Sequence, residues 1–294
     1  MRSIFSLLKK LRQLDDVSAR VRSIQEALGR VEARQLSDAP ISNLSQSEFR
    51  VFSQWGEDGI IQRLIHEVPI DRRIFVEFGV QDYQESNTRF LLVRDNWAGM
   101  VIDGDQGNID RIRHDEIFWR YNLKAECAFV KRDNINELLK NNGVVGDIGL
   151  LSIDIDGNDY WVWEAIEVVR PRIVVVEYNA RFGVDRAVTI PYDAEFSRVR
   201  AHYSMVYYGA SLAALVSLGV RKGYDFVGAN SAGNNAFFVR QDLRPSFLPV
   251  LTATEGFVAS QFRESRAKNG HLVFLTNDEE QRILKELPLV EVPG

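Results

Sequence analysis

Cysteine is nearly absent: Cys127 is the single one among 294 residues. No internal disulfide can form, and a reducing compartment is expected. Its strand-like setting reads as that of a small core residue. No apolar run approaches the roughly 20 residues of a membrane span. The N-terminus also lacks a signal-peptide profile, so the expected location is the cytoplasm. A basic excess is missing too. Lys and Arg number 36 against 41 Asp and Glu, a net charge of −5, which leaves no footprint for nucleic acid, and no such partner is expected. Internal repeats are lacking. What remains is an ordinary globular composition, 45% hydrophobic and 26% charged, long enough for one large domain with an accessory segment.

Glycine and proline are both missing before Gly29, and that stretch is strongly periodic. Ile4, Leu7, Leu11, Leu14, Val17, Val21, Ile24, Leu28 and Val31 recur at spacings of three and four, with one three–three step at Leu11-Leu14-Val17. A heptad held over residues 1–36 favours a coiled coil and therefore a homo-oligomer, and the irregular step changes the supercoil locally. Two alternatives stay open: a helix packed on its own domain, or one lying on a membrane, for which Arg2, Lys9, Lys10 and Arg12 are suited. Residues 37–47, with Pro40, read as a linker. Residues 48–294 read as the main domain, with an appendage of helices from about 245.

Within that domain, apolar strand segments alternate with helical ones. Strands are expected at 74–79, 100–103, 126–130, 149–154 and 173–178, with helices from about 87, around 106–119, at 134–141 and at 159–168. Near-continuous apolar strands between helices predict a doubly wound α/β domain, its parallel sheet covered on both faces. After a long insertion (180–208), Tyr224-Asp225-Phe226-Val227 and Ala236-Phe237-Phe238-Val239 flank a five-residue turn and predict a hairpin. That makes seven strands, mostly parallel, ending in an antiparallel hairpin.

Carboxylates gather at the predicted strand ends. Asp103 follows the second strand some twenty residues after the first, where an acidic residue can accept both hydroxyls of a ribose. Asp154, Asp156 and Glu177 follow the fourth and fifth strands. Carboxylate oxygens suit magnesium, calcium or manganese, so this trio is a candidate metal site, or Asp154 or Glu177 is a general base. The spacing of an EF-hand is absent. Asp159 is read as a helix N-terminal residue favoured by the dipole. His202 is the one histidine near the predicted active edge and a candidate base. Trp161, Trp163 and the neighbouring tyrosines either stack on a sugar ring or pack a helix face.

Taken in order, Ser53-Gln54, Gly56-Glu57-Asp58, Val76-Glu77-Phe78-Gly79, Ser86-Asn87-Thr88, Trp97 with Gly99, Ile153-Asp154-Ile155-Asp156-Gly157 and Val176-Glu177 resemble the FkbM-like family of S-adenosylmethionine-dependent methyltransferases, over most of residues 50 to 240. The resemblance implies a Rossmann-like methyltransferase fold. It also implies transfer of a methyl group from S-adenosylmethionine to a hydroxyl of a sugar, glycan precursor or similar metabolite. On that basis Glu77 would pair with the methionyl ammonium, or else tie a loop. Gly79 would let the loop pass beneath the cofactor. Ser86 and Asn87 would start a helix whose amide hydrogens hold the methionyl carboxylate. Asp103 would take the ribose, and Asp133 and Asn134 would contact adenine or cap a helix. Gln54, Glu57 and Asp58 would fold back over the cofactor. Two departures stand out: the loop keeps only Gly79, with Tyr83 placed where it would narrow the site, and Asp103 stands where many relatives carry glutamate, so a ribose contact needs the strand closer. These departures leave open a non-catalytic scaffold in a glycan-assembly complex, and the carboxylate trio leaves open metal-assisted hydrolysis on the same fold.

Overall fold

A computed structural model of the chain describes residues 2–38 and 42–293, with side chains for 16–36 and 42–293. The side chains of Ile4, Leu7, Leu11 and Leu14, those of Arg2, Lys9, Lys10 and Arg12, and Pro40 lie outside the described residues. The strands are β1 (Ile74–Phe78), β2 (Ala98–Asp103), β3 (Leu123–Cys127), β4 (Gly146–Ile153), β5 (Val169–Glu177), β6 (Val188–Thr189), β7 (Tyr224–Ala229), β8 (Asn235–Arg240) and β9 (Val290–Glu291). Seven of them form one sheet in the order β3-β2-β1-β4-β5-β8-β7. The first five are parallel, and β8 enters antiparallel between β5 and β7. This is the doubly wound α/β arrangement expected from the alternation of apolar segments. β3 starts and ends three residues early, because Ala128, Phe129 and Val130 leave the sheet although their apolar run reads as strand.

Successive strand residues point to opposite faces, and both faces are covered. Phe75, Ile173 and Val175 point to the side of α2 (Glu57–Glu67), α3 (Arg89–Asp95), α4 (Gln106–His114) and α5 (Glu116–Arg120). Val76, Phe78, Val174 and Val176 point to that of α6 (Ile135–Asn141), α7 (Asp159–Ala165) and α9 (Leu212–Arg221). Each such side chain contributes about 1.5–3 kcal/mol when fully buried. Trp163 is among the largest: its ring lies 4.9 Å from Phe238 and 6.1 Å from Tyr224, so it packs the core and is not a sugar platform. Trp161 is fixed by its indole N–H, which donates to Ile190 O at 2.9 Å.

The chain opens with α1 (Arg2–Asp38), which enters the stretch read as a linker; Leu44–Ser47 then form a 3-10 turn with Leu44 buried in the core. The last third of α1 lies on the domain. A Cβ on Gly29 would come within 2.3 Å of Val51 Cγ2, so only glycine permits this approach. Gln25 Nε2 donates to Val51 O, Arg63 donates to Leu36 O, and Ala33 is buried.

The insertion contains α8 (Arg198–Ala201). Phe182, Val188, Ile190, Val206 and Tyr207 form a small core closed by Leu284 of the C-terminal segment. That segment is mostly irregular, with only α10 (Ala253–Gly256), α11 (Asn277–Lys285) and β9, which pairs with β6; the expected appendage of helices is chiefly loop. Among the described residues no helix is long and apolar enough to cross a membrane.

Candidate active site

Strand register lines up the site. Phe78 pairs with Ile102 and Ile153, and Ile153 with Val176. The next residues, Gly79, Asp103, Asp154 and Glu177, therefore stand in one row, which Asn235 extends opposite Glu177. This is the carboxyl edge of the parallel strands, and β1 lies at the point where the strand order reverses. Open α/β sheets bind ligands there.

Two cavities open along the edge and share Gly79, Gln81, Asp154 and Asp156. The first, about 180 Å3, is walled by Ile102, Ala128, Phe129, Val130, Ile155 and Phe196, with Asp103 among its lining. The second, about 240 Å3, is polar. It is lined by Gln54, Glu77, Ser86, Asn87, Glu177, Asn235 and Glu264, and Arg198 is its one cation among the described residues.

Asp103 ties the first loop. Its Oδ2 accepts from Gln81 N–H at 2.8 Å, and its Oδ1 accepts from Asp105 N–H and Asn108 Nδ2, both at 2.9 Å. A carboxylate has about four lone-pair positions, so one remains, enough for one further donor rather than both hydroxyls of a ribose. Gln81 and Tyr83 have φ of 49° and 61°, a left-handed backbone that side chains disfavour. The Asp103 bond holds the former.

Gly79 serves the strands as well as the cavity. At φ 75°, a Cβ here would lie 1.7 Å from Asp154 O, so the close approach is to β4. Glu77 proves to be a loop tie. Asn87 N–H donates to its Oε1 at 2.8 Å, and Thr88 donates to its Oε2 from N–H at 3.1 Å and from Oγ1 at 2.5 Å. The amide hydrogens of Asn87 and Thr88 expected to hold a methionyl carboxylate are thus committed to Glu77. Tyr83, expected to narrow the cofactor site, is fully buried, with its hydroxyl 2.9 Å from Thr88 Oγ1. Ser86 Oγ accepts from Arg89 N–H at 3.2 Å while Ser86 lines the polar cavity.

Of the residues upstream of β1, only Gln54 reaches the cavity. Glu57 Oε1 accepts from Asn230 and Asn235, and Asp58 Oδ2 accepts from three backbone N–H groups, of Val51, Phe52 and Ser53, and from Ser53 Oγ. Burial pushes Asp58 up to about 6 and Glu77 up to about 7, although their hydrogen bonds oppose the rise. Asp159 is likewise pushed by burial up to about 6, against the amides of Ile155 and Gly157 that it holds at 2.9 Å. It shapes the loop and starts α7.

Asp154, Asp156 and Glu177 do come together: one oxygen from each lies within 4.8 Å of the others. Burial, and then the neighbouring carboxylates, raise Asp154 and Glu177 well above the usual range, with Arg198 opposing. Arg198 was not foreseen. Its Nη1 lies 2.5 Å from Asp156 Oδ1, its Nη2 contacts Glu264, its Nε donates to Met205 O, and its guanidinium stacks 3.7 Å from the Tyr208 ring centroid. Burial would lower it, but Tyr208, Glu264 and Asp156 hold it above its ordinary value. Glu264 also contacts Arg181 at 3.4 Å. Arg198 and Glu264 come from the insertion and the C-terminal segment, where no local pattern marks them.

Three expected residues stay outside both cavities. His202 turns to Ser204, with Nδ1 2.7 Å from its Oγ, and stacks on Tyr203; burial and then Lys268 lower its pKa. Asp133 is exposed beside Arg132 and Tyr192. Asn134 accepts from Lys131 N–H at 2.8 Å and donates to Phe129 O at 3.0 Å, bracing the apolar wall from behind.

No family model matches the chain, and none of the curated proteins matches it. Several solved structures are similar. The N-terminal domain of EvdMO1 with SAH bound is 8% identical, over 72% of this chain and 94% of that one, with a TM-score of 0.41. A putative caffeoyl-CoA O-methyltransferase from Staphylococcus aureus is 14% identical over 78% and 98%, TM-score 0.42. An S-adenosylmethionine-dependent methyltransferase from Clostridium acetobutylicum is 9% identical over 63% and 90%, TM-score 0.40.

Proposed function

We propose that the chain is an S-adenosylmethionine-dependent O-methyltransferase of the FkbM-like kind, acting on a hydroxyl of a sugar, glycan precursor or similar metabolite. The observation that carries this reading is the pair of joined cavities at the strand edge, one half apolar, with Asp103 facing the walls of Ile102, Phe129 and Phe196, the other acidic. Ile102, Phe129 and Phe196 offer apolar walls to a flat base, and Asp103 keeps one acceptor position for a ribose hydroxyl. Beyond Gly79 the carboxylates favour a positively charged group. When bound, S-adenosylmethionine supplies an electrophilic methyl group. An alcohol is a weak nucleophile until it gives up its proton, and Asp154 and Glu177 are the acceptors this chain holds at that place. Titration of the purified, folded protein with S-adenosylmethionine and S-adenosylhomocysteine tests the reading. Micromolar binding, weakened at least tenfold in Asp103→Ala, is expected; absence of binding to either would remove it.

For α1 the reading is pairing with a second copy of this chain, parallel and in register. Val17, Val21, Ile24, Leu28 and Val31 are 43–68% exposed, while the helix docks on its own domain through Gln25, Gly29 and Ala33. A seven-residue seam drifts about 20° per heptad on a straight helix, which suits a second helix winding with it better than a flat bilayer. In this register Arg20 faces Gln25, and Ala27 faces Glu32, so no like charges flank the seam.

A further inference from the structure

The trio of carboxylates leaves one acceptor unexplained. Glu177 is only 5% exposed, and its Oε2 is buried without a hydrogen-bond partner. A buried acceptor left bare costs about 1–3 kcal/mol, more when charged. Such groups ordinarily find a donor or a cation. Among the described residues no donor reaches it. Arg198, the one cation lining this cavity among the described residues, already holds Asp156, Glu264 and Met205 O. Asp154 and Glu177 thus face each other, and the further charges of Glu77 and Asp159, without a counter-ion of their own.

We propose that Asp154, Asp156 and Glu177 bind one divalent cation of the oxygen-preferring class, with Glu177 Oε2 as a ligand. The three ligand oxygens lie within 4.8 Å of one another, close enough for a single cation that holds carboxylate oxygens at about 2.0–2.6 Å to touch all of them. Arg198 competes, because it takes Oδ1 of Asp156. It is a gate on affinity, and its loss strengthens cation binding.

The site stands on its own geometry; its role rests on the proposed methyl transfer. A cation here would lower the pKa of an acceptor hydroxyl placed against it, leaving a neighbouring carboxylate to carry the proton away.

The test uses Mn2+ alone, with the full chain and no cofactor, read by electron paramagnetic resonance and calorimetry. Circular dichroism checks that each variant is folded. One Mn2+ per chain is expected, at least tenfold weaker in Glu177→Gln and in Asp154→Asn, and tighter in Arg198→Gln. No Mn2+ binding by the folded protein, or binding unchanged in both carboxylate variants, overturns the inference. S-adenosylmethionine binding without Mn2+ binding would sink the cation site and leave the methyl-transfer reading. Mn2+ binding without S-adenosylmethionine binding would do the reverse.

Discussion

Gly79 has no Cβ, and that omission brings two strand ends together at the site. Its left-handed φ and the Asp154 carbonyl 1.7 Å from where a Cβ would sit act at once. Gly79→Ala is expected to destabilise the fold by about 3 kcal/mol or more, measurable by denaturant unfolding; a change under 1 kcal/mol would contradict the geometry. Asp58 supports the loop ahead of β1 by accepting four hydrogen bonds. Asp58→Ala is expected to cost about 3 kcal/mol, since three backbone N–H groups lose their acceptor in a buried setting. At this scale the sequence marks residue types well. Glu77, Asp103, Asp154 and Glu177 are all legible as strand-end carboxylates. Whether a carboxylate is free for a ligand depends on its donors, and these lie far along the chain or in backbone amides. So Glu77 and Asp103 read as ligand contacts, yet both tie loops, while Glu177 keeps a buried oxygen bare.

The elements with strong periodicity are the ones the sequence shows clearly. β2, β4 and β5 are apolar runs ended by a carboxylate, and α9 begins where Ser211 caps the amide of Ala214. The end of β3 is less visible because Ala128, Phe129 and Val130 are equally apolar in a strand or in a cavity wall. His202, Arg198 and Glu264 sit in stretches without periodicity, and only the tertiary fold decides which of them faces the cavity. For α1, the exposed seam and the glycine-mediated contact on the other side carry a clear expectation. Replacing both Val21 and Leu28 by Glu places charge in the seam without touching Gly29 or Gln25. The pair is expected to convert an oligomer into a monomer with an unchanged domain melting profile. Light scattering of the two proteins at equal concentration checks it, and a monomeric parent would refute the pairing.

Across the whole molecule, buried acids set the response to pH. Asp58 and Glu77 titrate near 6 and 7 in the folded chain, against ordinary values of 3.8 and 4.5. A carboxyl raised by folding holds its proton longer in the folded state. Its contribution is complete below the ordinary value and is lost as pH rises through the folded one. For each group the loss is on the order of 3 kcal/mol at most. Asp147 runs the other way: burial opposes, but Arg172 and Arg240 outweigh it and hold the carboxyl low, so its contribution disappears in strong acid. The melting temperature is therefore expected to be higher near about pH 5.5 than near about pH 8. Thermal scans in matched ionic strength check this, and an optimum at or above pH 8 would contradict it.

Arg198 and Glu264 meet across the edge of the sheet, one from the insertion and the other from the C-terminal segment. A ribosome releases the last sheet strand when Arg240 has emerged, so a nascent chain can already close the apolar cavity with its sheet in place. The acidic cavity is still open at that moment, because Glu264 has not arrived to fix Arg198 over Tyr208. A chain stopped near residue 250 would therefore carry the Asp103 cavity complete and the acidic one without Glu264, the partner that fixes Arg198.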